Sequence, residues 1–314
     1  MSDEKYTRWN DVPEHLVTKT ALEKMGLRVA PDQQVAAIKR GGYGPYDLYD
    51  INQAIQKSKP SPAQLAALEK ARLQADLNSR CANCRSPFGG EHRYEKIEDI
   101  GQGAYICSFC HDKQRVKRLA KDLLASPENV ILDTETTGLI DSAEIVEIAI
   151  CNVAGQILFN SFIRPTIPIS DEAIKIHGIT SDDLVGAPTW LDVDQQIMDI
   201  LGLAPKIIIY NAEFDFRLMC QTKQAHGLLN HDYYWWREVE NGLSSQMTGI
   251  RQKMICAMEM YATWFGDWSN YHQSYTWQPL NGGHRALDDC HATLARLQQM
   301  SNNTNEDPPV KGES

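Results

Sequence analysis

The 314-residue chain predicts an α/β domain built on a mixed sheet flanked by helices. A small cysteine-bound module and a mostly helical amino-terminal segment precede it. Three observations carry that reading. In the carboxy-terminal half, short apolar runs followed by acids alternate with stretches of helical spacing. Two Cys-x-x-Cys pairs, Cys81/Cys84 and Cys107/Cys110, stand 22 residues apart in the middle. The charge also changes sign along the chain. Residues 1–126 hold 20 Lys+Arg against 16 Asp+Glu, net +4, and residues 127–314 hold 11 against 25, net −14, together the chain's −10.

The elements follow in order. Within residues 1–78, Lys19–Met25 reads as a short helix stopped by Gly26, and Gly41–Tyr46 as a loop with two tyrosines. Ser61 caps a helix that has Pro62 at its first position and runs to about Leu77. The segment suits substrate gripping, partner docking or packing equally well. Residues 79–126 read as one closed tetrahedral zinc site made by Cys81, Cys84, Cys107 and Cys110, with turns at Gly89-Gly90 and Gly101-Gln102-Gly103. Four thiolates leave no open position for water, so the zinc is structural, and His92 and His111 are not needed as ligands. The helix after the second pair, Asp112–Ala125, makes the module treble-clef-like. Its Lys113, Arg115, Lys117, Arg118 and Lys121 read either as a solvated face or as a strip for phosphates or a partner protein.

In residues 127–300, Asn129–Leu132 reads as a short buried strand ending at Asp133, with a turn at Gly138. Glu144–Val153 and Gln156–Arg164 alternate as two further strands joined at Ala154-Gly155. Then come a helix over Trp190–Leu201, a strand over Ile207–Tyr210, a helix from about Phe214 to Ala225, and a last strand at Lys253–Cys256. Leu287, Cys290, Leu294 and Leu297 place a helix over Arg285–Met300. Aromatic residues crowd Tyr233–Trp236 and Tyr261–Trp277, mainly as packing, with base stacking as the alternative. Residues 301–314 are polar and are expected to be disordered.

Composition narrows the setting. An apolar fraction of 42% allows a sizeable core. No apolar run approaches the ~20 residues of a membrane span, and the charged start Met1–Lys5 does not read as a secretion signal. The expected location is cytoplasmic, so the eight cysteines argue for thiols and metal over disulfides. Cys151, Cys220, Cys256 and Cys290 fall in apolar segments and read as small core residues.

Five residues point to chemistry: Asp133 and Glu135 in Asp-Thr-Glu-Thr-Thr-Gly, Asp215 after Asn211-Ala212-Glu213-Phe214, and His284 with Asp289 in His-Arg-Ala-Leu-Asp-Asp. Four carboxylates suit a pair of Mg²⁺ or Mn²⁺ ions, and an imidazole can take a proton from water. Acids at strand ends and helix starts converge in the crevice beyond an open sheet. Asp288 reads as a solvated neighbour of Asp289.

In this order, these motifs resemble the DnaQ-like (DEDDh) 3′–5′ exonuclease family, whose pattern is Asp-x-Glu, Asn-x-x-Phe-Asp and His-x-Ala-x-x-Asp. His284, five residues before Asp289, places the resemblance in the histidine branch, with Arg at position 285. The tail end looks nearest to the exonuclease X type. Ile169–Thr180 is a further match, and it implies that Glu172 and His177 lie beside the bound 3′ nucleotide. His177, before Gly178, could otherwise simply cap a helix. Thr134, Thr136 and Asn211 complete the substrate contacts expected from the resemblance, which covers about residues 128–300. It implies a ribonuclease H-like sheet of three antiparallel strands followed by parallel ones. It also implies two active-site metal ions, a histidine base, and release of nucleoside monophosphates from the 3′ ends of single-stranded DNA. RNA or short oligonucleotides would need the same five residues. A non-catalytic zinc-containing protein that uses the nuclease fold as a nucleic-acid or protein docking module is the alternative of another class, and residues 1–126 offer a surface for a protein partner.

Overall fold

A computed structural model describes residues 5–41, 44–88, 96–101, 104–229 and 245–302. Tyr233–Trp236, His92, Gly89-Gly90, Gln102-Gly103 and the expected disordered tail from 303 onward lie outside them. The chain divides into two compact units, Met1–Asp76 and Leu77–Ser314.

The first unit corrects the expectation of a mostly helical segment. It contains a four-stranded sheet formed by Lys5–Tyr6, Leu16–Thr18, Ala37–Gly41 and Gly44–Asp50. The last two strands form a hairpin, so the stretch read as a loop lies at its closed end, and Tyr46 pairs with Lys39 across it. Ala37 and Leu48 bury one face of this hairpin, but charged residues interrupt the alternation too soon for it to read as strand. The helix Lys19–Lys24 is present, capped by the Thr18 hydroxyl. The second helix, Pro62–Ser79, buries none of its residues.

In the second unit the cysteine module consists of an antiparallel hairpin, Lys96–Gly101 with Ala104–Cys107, followed by helix α1 (Ser108–Ala125). The helix starts earlier than the expected Asp112, because Cys107 stands at its N-cap and Cys110 in its first turn.

The rest of this unit is a five-stranded sheet of β1 (Val130–Thr136), β2 (Ile145–Asn152), β3 (Ile157–Phe162), β4 (Ile207–Ile209) and β5 (Met254–Cys256). The spatial order is β3-β2-β1-β4-β5; β3, β2 and β1 are antiparallel, and β4 and β5 run parallel to β1. The helices are α2 (Asp171–His177), α3 (Trp190–Leu203), α4 (Ala212–Ala225), α5 (Ser245–Lys253), α6 (Ala257–Phe265) and α7 (Ala286–Ser301). The central strands are covered on both faces, which is why they read as continuous apolar runs. Val130 and Leu132 join Trp190, Ile197, Phe216 and Met219 from α3 and α4. Ile131 points the other way, into a cluster with Val116, Tyr261, Cys290 and Leu297 from α1, α6 and α7.

Strand β1 continues past its apolar run, so Asp133 lies within it and not at its end. Pairing with β2 carries the ladder through Glu135 opposite Glu147 to Thr136 opposite Ile145. Tyr261 stacks on Trp264 with centroids 5.7 Å apart inside the second cluster, whereas Tyr271 and Trp277 are exposed. Leu132 is fully buried at the centre of the first cluster. Leu132→Ala should therefore cost about 2–5 kcal/mol and lower the melting temperature in a thermal unfolding scan. A variant melting with the parent would contradict this packing.

Candidate active site

Strand parity explains the first part of the site. Asp133 and Glu135 are two residues apart on β1, so both face the α7 side, while Thr134 faces α4. The Thr134 hydroxyl donates to Asp215 Oδ1 at 2.6 Å, which ties α4 to the sheet through its buried Asp215. Asp289 arrives from the first turn of α7. Asp133, Glu135 and Asp289 each place a carboxylate oxygen within 4.8 Å of the others. The remaining expected residues stand around this core. Thr136 exchanges hydrogen bonds with the Gly138 backbone, and His284 is exposed just before α7 with φ 53°. Asn211 lies exposed at the start of α4. Asp288 is exposed, so Asp289 is the member of the pair that joins the cluster.

The electrostatics are those of crowded anions. Burial, then the neighbouring Asp215, Asp289 and Glu135, push the Asp133 carboxyl well above the usual range. Burial and then Asp289 raise Glu135 from 4.5 to about 8. Burial raises Asp215 to about 7 against the lowering effect of the Thr134 hydroxyl. Asp289 is raised by burial and drawn partly back by His284 and by the N–H groups of Gly283 and His284. Its Oδ1 is buried with no hydrogen-bond partner. A Cβ at Gly282 would overlap that atom, so the loop before α7 needs glycine there. An orphaned carboxylate oxygen beside two other acids, all hard oxygen donors, fits Mg²⁺ or Mn²⁺.

A cavity of about 560 Å³ adjoins the acids and is lined in part by Thr134, Glu135, Thr136, Glu172 and His177, with Asn211 not among its walls. The His177 ring is held at both nitrogens: Nδ1 accepts from Ile179 N–H at 3.0 Å and Nε2 donates to the Thr136 carbonyl at 3.1 Å. Burial pushes its pKa down, in keeping with this neutral form. It both helps end α2, next to the left-handed Gly178, and forms a cavity wall. Two neighbours escaped the sequence reading. Glu147, buried on β2, accepts from Arg285 Nε and Nη2 at 3.0 and 2.7 Å. The available signal was a lone acid inside the otherwise apolar run Ile145–Cys151.

In the cysteine module the four Sγ atoms also lie within 4.8 Å of one another. Cys107 N–H donates to Cys81 Sγ at 3.3 Å and Asn83 Nδ2 to Cys110 Sγ at 3.2 Å. Burial pushes Cys81 up, but backbone donors outweigh it and hold the thiol at about 7. Four convergent thiols with N–H···S support fit a closed zinc site.

A mixed sheet between two helical layers, with acids gathered where β1 meets α4 and α7, defines a ribonuclease H-like nuclease. The chain belongs to the Exonuclease (RNase_T) family, whose model matches residues 130–297, more than half of the sequence. It is an exonuclease of the DnaQ type acting on nucleic acid, and the family uses divalent metal ions. The uncharacterized exonuclease CP81 of Escherichia phage 186 is 34% identical over 200 residues, covering 60% of this chain and 93% of the phage protein. DNA polymerase III subunit epsilon of Escherichia coli (strain K12) is 31% identical over 105 residues, 30% of this chain and 43% of that one. Among solved structures, exonuclease X in complex with 5′ overhanging duplex DNA is 26% identical, with a TM-score of 0.35 over 57% of this chain and 96% of its own.

The acid cluster sets a pH dependence. Between 4.5 and about 8 the folded Glu135 keeps a proton that the unfolded chain has released. Stability is therefore lost as pH rises through that window. The melting temperature of EDTA-treated protein should fall across it, and Mn²⁺ should reverse the fall. A metal-free melting temperature that is flat with pH and indifferent to Mn²⁺ would sink this picture.

Proposed function

We propose that the protein is a metal-dependent 3′–5′ exonuclease that hydrolyses single-stranded DNA to nucleoside monophosphates. The observation that carries this reading is the trio Asp133, Glu135 and Asp289, with oxygens within 4.8 Å of one another, beside a cavity of about 560 Å³. With Asp215 they would hold two Mg²⁺ or Mn²⁺ ions, which when bound stabilise charge on the attacking and leaving oxygens of the phosphodiester. His284, exposed just before α7, takes the proton from the attacking water. Thr134 keeps Asp215 turned toward the cluster, and His177 and Glu172 wall the place of the 3′ nucleotide. Single strands are favoured because a terminal phosphodiester enters a crevice with difficulty while its base is stacked and paired.

The cysteine cluster would hold one structural zinc. The exposed Arg115, Arg118 and Lys121 on α1 give the acidic nuclease half a cationic face toward phosphates. Lys113 is used differently, 4.8 Å from the Trp264 ring centroid.

End-labelled single-stranded DNA, duplex DNA and RNA, each with Mg²⁺ and Mn²⁺, test the reading. Asp133→Asn and Asp215→Asn should each retain less than about a tenth of the rate, and His284→Ala should lose a factor of about 10²–10⁴. A 3′-terminal block should protect the strand and a 5′ block should not. Cleavage of circular single-stranded DNA would show an endonuclease instead. Separately, about one zinc per chain should survive dialysis, and Cys84→Ser should release it and lower thermal stability. Full zinc retention by that variant would remove Cys84 from the ligand set.

A further inference from the structure

We propose that Glu147 and Arg285 form a positioning pair that sets where His284 and Asp289 stand relative to β1. The turnover step, more than strand binding, then depends on the pair. This inference rests on the nuclease reading above.

Glu147 sits on β2 directly opposite Glu135 of β1 and opposite Phe162 of β3. A buried carboxylate there, beside an existing acid cluster, is costly unless it is matched. Both of its oxygens are committed to the start of α7. Oε1 accepts from Arg285 Nη2 at 2.7 Å, and Oε2 accepts from Arg285 Nε at 3.0 Å and from Ala286 N–H at 3.1 Å. One acid thus receives a two-pronged guanidinium and an N–H from the first residue of the helix, a group that has no intrahelical partner. The guanidinium carbon also lies 5.2 Å from the Phe162 ring centroid, so its plane is fixed from the β3 side as well.

The clamp acts on residues 285 and 286, and the chemistry lies on either side of it. His284, the preceding residue, has φ 53°, a left-handed conformation that non-glycine residues hold only where neighbours over-determine it. Asp289 follows within the first turn, where its N–H donates to the Arg285 carbonyl at 2.9 Å. Releasing Arg285 and Ala286 from the sheet would free both groups together. Glu147 itself stands outside the trio of convergent acids, so its role runs through Arg285 and not through a metal. An ion pair that merely anchors a helix would lower stability and leave the kinetic constants of the folded fraction alone.

The test uses the full-length protein on a labelled single-stranded oligonucleotide with Mn²⁺. The variants are Glu147→Gln, Arg285→Gln and the double substitution, each read per folded molecule. Each single change should lower kcat about 10–100-fold with KM within about threefold. The double should be no slower than the slower single, since both remove one device. Wild-type kcat in both singles would overturn the proposal, as would losses that multiply in the double. A raised Mn²⁺ requirement in Glu147→Gln but not in Arg285→Gln would overturn it too, by making Glu147 a ligand. Should Glu147→Gln not fold, Arg285→Lys supplies the same reading, because it keeps the charge and loses the fork. Its kcat should fall at unchanged KM, and a wild-type kcat would overturn the proposal. If the parent protein showed no nuclease activity, the nuclease reading itself would fall.

Discussion

Asp133, Glu135 and Asp289 are held with carboxylate oxygens within 4.8 Å of one another, and much of this fold serves to keep those like charges together. Two of them come from one strand, where successive alternate residues share a face. The third comes from a helix that begins beside that strand. Asp215 approaches from the opposite helical layer and is held by Thr134, the residue between the two strand acids. Left alone, such a group relaxes by taking up protons, which is the direction of each of its pKa shifts. The charge that the fold itself can balance, that of Glu147, is balanced by Arg285. The charge it leaves unbalanced is what would favour hard cations there.

The convergent acids and the cysteine pairs were legible in the sequence because their residue types are dictated by chemistry and their spacing by local geometry. The long helices were legible for a similar reason: Leu287, Cys290, Leu294 and Leu297 repeat along one face. Three things were not. The sheet in residues 5–50 is made of strands of two to seven residues, too short for a period of two to show through Lys39, Arg40 and Asp47. Glu147 and Arg285 lie 138 residues apart, and nothing local marks either as the partner of the other. Asp133 fell within β1, not at its end, for the same non-local reason: β2 extends the ladder past the apolar run.

His177 shows how one side chain serves packing and site at once. Its two ring nitrogens are spent on the backbones of Ile179 and Thr136, which fixes the imidazole as a neutral wall and not as a proton carrier. The acid–base role proposed above is assigned instead to His284, which is exposed.

Helix α1 belongs to two structures. Its first turn carries Cys110 of the thiol cluster. Further along, Val116, Ala120 and Leu123 lie in the same apolar cluster as Ile131 of the central strand and Leu297 of α7. The family likeness begins at residue 130, but the physical boundary of the enzyme does not. A chain trimmed to the likeness would leave the outer side of α7 facing water where α1 had been, and removing apolar area from cover costs stability roughly in proportion to that area. The helix of the cysteine module is thus part of the nuclease sheet's own wall.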